Sequence, residues 1–153
     1  MKNPNLKNKK LAEFTGLMLG DGSIGEYECK KGDGTTNTQR SIKITISSEE
    51  KEFSEHIQTL VQDLFDIEMN VWNRKNENTV EIRSYRKDFY KFLTKELGLK
   101  VSPKWDTAEI PRIYLGNNFE KYVLRSYFDT DGSVVLTDNN GTLYPRLEMK
   151  ISP

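Results

Sequence analysis

Two aspartates, Asp21 and Asp131, stand at matching places in two similar stretches of the chain, 110 positions apart. Phe14-Thr15-Gly16-Leu17-Met18-Leu19-Gly20-Asp21-Gly22-Ser23 aligns with Leu124-Arg125-Ser126-Tyr127-Phe128-Asp129-Thr130-Asp131-Gly132-Ser133. Further on, Lys43-Ile44-Thr45-Ile46-Ser47-Ser48 aligns with Glu148-Met149-Lys150-Ile151-Ser152-Pro153. A lone Asp-Gly is ordinarily a turn that ends a helix, but a repeated one marks a pair. Two carboxylates brought close repel unless a cation lies between them, and their oxygens are the ligands that Mg²⁺ prefers.

Other chemistries fit these residues poorly. Cys29 is the only cysteine and His56 the only histidine, which excludes an internal disulfide and a thiolate zinc cluster and leaves no nucleophile pair. Gly20-Asp21-Gly22-Ser23-Ile24-Gly25 spells a dinucleotide-binding string, yet it follows a helix and opens a strand, the reverse of what that fingerprint needs. Asp129-Thr130-Asp131-Gly132 resembles part of a calcium loop, but Tyr127 stands where the first acid should be.

The elements that must position the two acids are legible in the spacing of apolar residues. Leu11, Phe14, Leu17 and Met18 fall on one face of a helix that ends at Gly20. A strand over 23–29 follows, then a polar, glycine-containing tip over 30–39, then Ser41–Ser47. In this second strand Ile42, Ile44 and Ile46 turn inward, and Lys43 and Thr45 outward. A helix capped by Ser47 or Ser48 carries Phe53, Ile57, Leu60, Val61 and Leu64 over that sheet. A second hairpin alternates Met69 and Val71 with Asn70 and Trp72, then Val80 and Ile82 with Glu81 and Arg83. Arg86–Leu97 is a further helix, ended by Gly98. After a proline-containing connector, a helix from Phe119 and two strands, 133–137 and 142–151, repeat the opening pattern around an Asn140-Gly141 turn. The fold class is α+β: an αββαββα repeat with an antiparallel sheet over 1–98, a connector over 99–118, and a partial αββ second repeat over 119–153.

The chain has 153 residues, 35% hydrophobic and 30% charged, enough for one buried core or two small units sharing an interface. No apolar run approaches the roughly 18 to 20 residues that cross a bilayer, nor is there a signal-peptide core, so an intracellular protein without a membrane partner is expected. Net charge is zero, but Trp72–Lys104 holds nine basic against four acidic side chains, the local excess of a face suited to phosphates.

Both helix-acid-glycine segments resemble the motif of the LAGLIDADG homing endonucleases, and Lys104 with Ile110-Pro111 and Tyr122–Val134 is similar to the free-standing and intein-borne branch of that family. The resemblance implies the following. Two motif helices pack side by side, with Gly16 against Ser126 and Gly20 against Thr130. Asp21 and Asp131 are catalytic and bind Mg²⁺, with the carbonyls of Gly20 and Thr130 as further ligands. Mn²⁺ substitutes, and Ca²⁺ binds without supporting cleavage. Double-stranded DNA lies on the polar sheet face, where Lys43, Thr45, Asn70, Trp72, Arg74, Glu81 and Arg83 are candidate contacts, with Arg40 from the hairpin tip.

Against the family pattern, Ile46 stands where a polar or basic residue often orders water. The second copy also stops where its covering helix would begin, so a truncated form is expected, completed by self-association or a complementing fragment. A non-cleaving module that binds DNA or intron RNA is the alternative reading.

Overall fold

In the computed structural model, residues 1–104 and 106–149 are described, and Lys150–Pro153, the end of the second aligned segment, lie outside them. The alternation of isoleucines gives β2 (Thr36–Ser47) its register, with Ile42, Ile44 and Ile46 all buried. β2 pairs antiparallel with β1 (Gly22–Lys30) and with β4 (Thr79–Ser84), and β3 (Asn70–Arg74) adds to β4, giving the order β1-β2-β4-β3. One face of this sheet is apolar through Ile24, Ile42, Ile44, Ile46, Val80 and Ile82. Over it α2 (Lys51–Phe65) lays Ile57, Leu60, Val61 and Leu64. Each such side chain withdrawn from water contributes about 1.5 to 3 kcal/mol.

Three aromatic rings close the core between helices: Phe65 lies 5.3 Å from Phe14 and 4.7 Å from Phe89, centroid to centroid. Phe89 belongs to α3 (Lys87–Lys91), which continues as a π-helical turn over Phe92–Glu96. α1 (Lys9–Leu19) begins two residues before its first apolar position, because the Asn8 side chain accepts from the Lys10 N–H at 2.8 Å. It is buried beyond one stripe, through Leu11, Ala12, Phe14, Thr15, Gly16, Leu17 and Met18, since it packs on the sheet core and also against α4 (Glu120–Asp131).

β5 (Gly132–Asn139) and β6 (Thr142–Met149) form a separate two-stranded ribbon after α4. Its turn residues Asn140 and Gly141 have φ of 54° and 84°, the left-handed pair that a tight hairpin needs. Val134 pairs with Leu147, and Leu136 with Pro145, on one face of this ribbon. Val134, Leu136, Leu143 and Leu147 are all more than 60% exposed, in contrast with the covered isoleucines of the larger sheet. Between the two units, the described residues of 99–118 hold one short 3-10 turn, Arg112–Tyr114, whose Tyr114 is buried.

Two local expectations are corrected. Half of the tip over 30–39 is paired strand, with Cys29 opposite Asn37 and Lys30 opposite Thr36, because a five-residue connection suffices to turn the chain. The second helix begins at Lys51 rather than beside Ser47 or Ser48. There the Glu50 carboxylate accepts from the Ser47 N–H at 3.2 Å, and the Ser47 hydroxyl is spent on the Glu49 N–H at 3.3 Å.

Candidate functional site

The site begins with missing side chains. A Cβ on Gly16 would lie 2.8 Å from the Ser126 Cβ and 2.9 Å from the Tyr127 backbone nitrogen. A Cβ on Gly20 would lie 2.8 Å from the Thr130 Cβ. Side chains do not approach this closely, so glycine at these two positions lets the backbones of α1 and α4 run almost in contact. Gly16 faces Ser126 and Gly20 faces Thr130 along one seam. Ser126 is buried with its hydroxyl unpaired, so its contribution there is small volume.

The seam sets two helix C-termini side by side. Asp21 stands between the Gly20 cap of α1 and the start of β1, and Asp131 is the last residue of α4. Burial, then the negative charges of Asp131 and Glu50, push the Asp21 carboxyl up to about 6, with Lys104 opposing them. The Tyr127 hydroxyl is raised by burial and by the Asp131 carboxylate beside it. Such a pair of acids needs compensation by a proton or a cation.

Lys104 supplies one such charge. Its ammonium donates to the carbonyls of Met18 at 2.7 Å, Gly20 at 2.8 Å and Gly22 at 2.6 Å, using all three protons at the end of α1. Burial lowers its pKa to about 8, against the pull of Asp131 and Asp21. The connector is moored to β1 just before it, by the Ser102 N–H on the Ile24 carbonyl at 2.7 Å and the Ser102 hydroxyl 3.1 Å from that of Ser23. The sequence marks Lys104 through the family resemblance and the basic stretch, but it lies in an irregular connector, where no periodicity signals these carbonyl partners. The Gly20 carbonyl, expected as a metal ligand, is therefore already engaged by an ammonium. Ile46 faces the core at 3% exposure, as its alternation predicts, and the N–H of its neighbour Thr45 donates to the Asp21 carbonyl at 3.3 Å.

The sheet face opposite the isoleucines is polar. Strand pairing sets Lys43, Arg83 and Asn70 in one row and Thr45, Glu81 and Trp72 in the next, with Arg74 beyond. Trp72 is 61% exposed, and the Arg83 guanidinium lies 5.7 Å from its ring centre. Two expected contacts differ. Glu81 belongs to this face but is only 1% exposed, because Lys43, Arg74 and Arg83 close over its carboxylate. Arg40 is on the opposite face of the ribbon, paired with Glu26 at 2.7 Å and lying 5.2 Å from the Tyr90 ring. Two-residue alternation puts it with Ile42 and Ile44, away from the polar rows.

Residues 8–96 match the family described as LAGLIDADG-like domain. The chain belongs to the LAGLIDADG family. Two archaeal proteins named DNA polymerase also match, from Methanocaldococcus jannaschii (28% identity over 132 residues) and Thermococcus kodakarensis (27% over 127). Each match covers 80% of this chain, and the chain spans 7% of the length of either relative. Among solved structures, variants of the homing endonuclease I-DmoI share 24% identity at a TM-score of 0.55, over 82% of this chain and 62% of theirs. The I-LtrWI LAGLIDADG homing endonuclease bound to target DNA gives 15% and 0.58, over 84% of this chain and 60% of its own. At these identities the likeness is one of fold, and the chain spans about three fifths of these neighbours.

Within the LAGLIDADG arrangement, the donor set suits a hard cation that keeps most of its water. Among the described residues no group of three or more metal-ligating side chains forms, and the carboxylate charges acting on Asp21 are those of Asp131 and Glu50. Mg²⁺ is commonly held by one or two carboxylates together with waters and phosphate oxygens, which matches this sparse set. Thr130 lies in the last turn of α4, where backbone carbonyls lack a helical donor. No helix among the described residues is long and apolar enough to cross a membrane.

Proposed function

We propose that this chain is a divalent-metal-dependent endonuclease that cuts both strands of DNA at a long, specific target. The observation that carries this reading is the glycine seam, which packs the two repeated helices so closely that each ends in an aspartate at a half-buried, electronegative spot. Asp21 and Asp131 hold the metal, one acid serving each strand, with the Thr130 carbonyl as a supplementary ligand. Bound Mg²⁺ would supply Lewis acidity to the attacking water and the leaving oxygen. Mn²⁺ serves as well, and Ca²⁺ occupies the site without supporting turnover.

The polar sheet face receives the duplex. Lys43, Arg74 and Arg83 offer cations to phosphates and to guanine edges, while Thr45 and Asn70 offer hydrogen bonds and Trp72 a flat apolar surface. Lys104 fixes the end of α1 through its three carbonyls and lowers the negative potential around Asp21. Residues 1–98 act as the first repeat, 99–118 as the connector, and 119–153 as the part of a second repeat that delivers Asp131. The exposed ribbon face of that part favours association with a second copy or a complementing polypeptide. The matched segment is a small fraction of the two polymerases, and polymerase activity is not carried over.

The test is a cleavage screen on a library of long duplexes in Mg²⁺, Mn²⁺ and Ca²⁺, with Asp21→Asn and Asp131→Asn alongside. Cutting in Mg²⁺ that both substitutions abolish supports the proposal. Specific binding with no nicking in any metal would replace it with a non-cleaving binding module.

A further inference from the structure

One acid lies in the middle of the cationic face, where a duplex would be expected to repel it. Glu81 sits on β4, the strand flanked by both β2 and β3, and its side chain is 1% exposed. Its Oε1 lies 3.3 Å from the Lys43 ammonium and 3.0 Å from Arg74 Nε, and its Oε2 pairs with the Arg83 guanidinium. The three cations come from three neighbouring strands and remain 24 to 38% exposed. All three are thus held by Glu81 while their side chains stay partly open to solvent. Arg83 is further held by the Trp72 ring beside it and by a bond to the Tyr85 hydroxyl at 3.4 Å, and Arg74 by Glu77 at 2.5 Å.

Three like charges packed this closely would splay apart without an anion among them, each sweeping many rotamers. Glu81 neutralises one of three charges and fixes the direction of all of them. Base edges are read within a few tenths of an ångström, whereas phosphate attraction tolerates disorder. Added order at the cost of net charge thus favours discrimination over bulk affinity.

We propose that Glu81 is a positioning residue. It never touches the nucleic acid, and it holds Lys43, Arg74 and Arg83 as one rigid array that sets sequence preference over a short block of base pairs. The inference rests on the DNA-reading role proposed above. Burial to 1% exposure, with both carboxylate oxygens engaged by the three cations, keeps Glu81 off the duplex, so the array and not the acid makes the contacts.

The experiment measures base preference at every position of a randomised-duplex library, bound in Ca²⁺, for the wild-type chain and for Glu81→Gln. Expected is a loss of preference of roughly tenfold confined to one contiguous block. Other positions keep their preference, and the salt dependence steepens by about one charge. Glu81→Asp, which keeps the charge but shortens the reach, is expected to blur the same block less, and it carries the test should the glutamine variant fail to fold. An unchanged profile in the variants, or a uniform weakening at all positions, overturns the positioning role. A wild-type chain with no base preference at all overturns the DNA-reading proposal, and this inference with it.

Discussion

At Asp21 the fold works against its own charge. The carboxyl is raised from the usual carboxylate range to about 6, chiefly by burial and then by Asp131 and Glu50. A raised carboxyl favours the protonated native state, so the metal-free protein loses stability as pH climbs from about 4 to about 6. Asp21→Asn is therefore expected to stabilise the metal-free chain by about 1 to 3 kcal/mol at pH 7, with the gain vanishing below pH 4, while abolishing cleavage. Chemical denaturation across that pH range checks it, and a variant less stable than wild type at pH 7 would contradict the burial argument. For Lys104, replacement by Met leaves three carbonyls at the end of α1 without their donor, at about 1 to 3 kcal/mol. Cleavage is expected to fall further than stability, because the cation nearest Asp21 is lost. Lys104→Arg should restore little, since a planar guanidinium cannot aim at three carbonyls around one point.

Among the elements, the seam between α1 and α4 is the least tolerant. Gly16→Ala meets the Tyr127 backbone as well as Ser126, so the helices themselves must separate. The expected cost is about 1 to 3 kcal/mol, seen as a lowered midpoint in thermal unfolding, with a disproportionate loss of metal affinity as the acids part. Unaltered metal affinity in a folded Gly16→Ala variant would show that the seam does not set the spacing of the acids. Much at this scale was legible in the sequence. The Ile42, Ile44, Ile46 alternation gave the sheet its inner face, and the repeated helix-acid-glycine ending paired α1 with α4. What escaped depends on contacts distant along the chain. Glu81 alternates as a solvent-facing residue should, and only the convergence of Lys43, Arg74 and Arg83 buries it. Lys104 sits in a stretch with no period, and its partners lie more than 80 positions earlier. Arg40 falls on the isoleucine face because the chain there is strand, which has two faces, and a polar run beside glycines does not announce one.

Over the whole molecule, the two repeated units are unequally protected. The sheet of the first has its apolar face under α2 and α3, whereas Val134, Leu136, Leu143 and Leu147 of the β5-β6 ribbon meet water. A contiguous apolar strip on a two-stranded ribbon is a surface that seeks cover. Concentration-dependent association of the isolated chain is expected in sedimentation, reduced by Leu136→Lys with Leu147→Lys. A monomer at all concentrations would contradict it. At the centre, the Lys104 ammonium ties the connector to the end of α1 through the carbonyls of Met18, Gly20 and Gly22. Whatever pulls on the connector is therefore felt first where α1 hands over to Asp21.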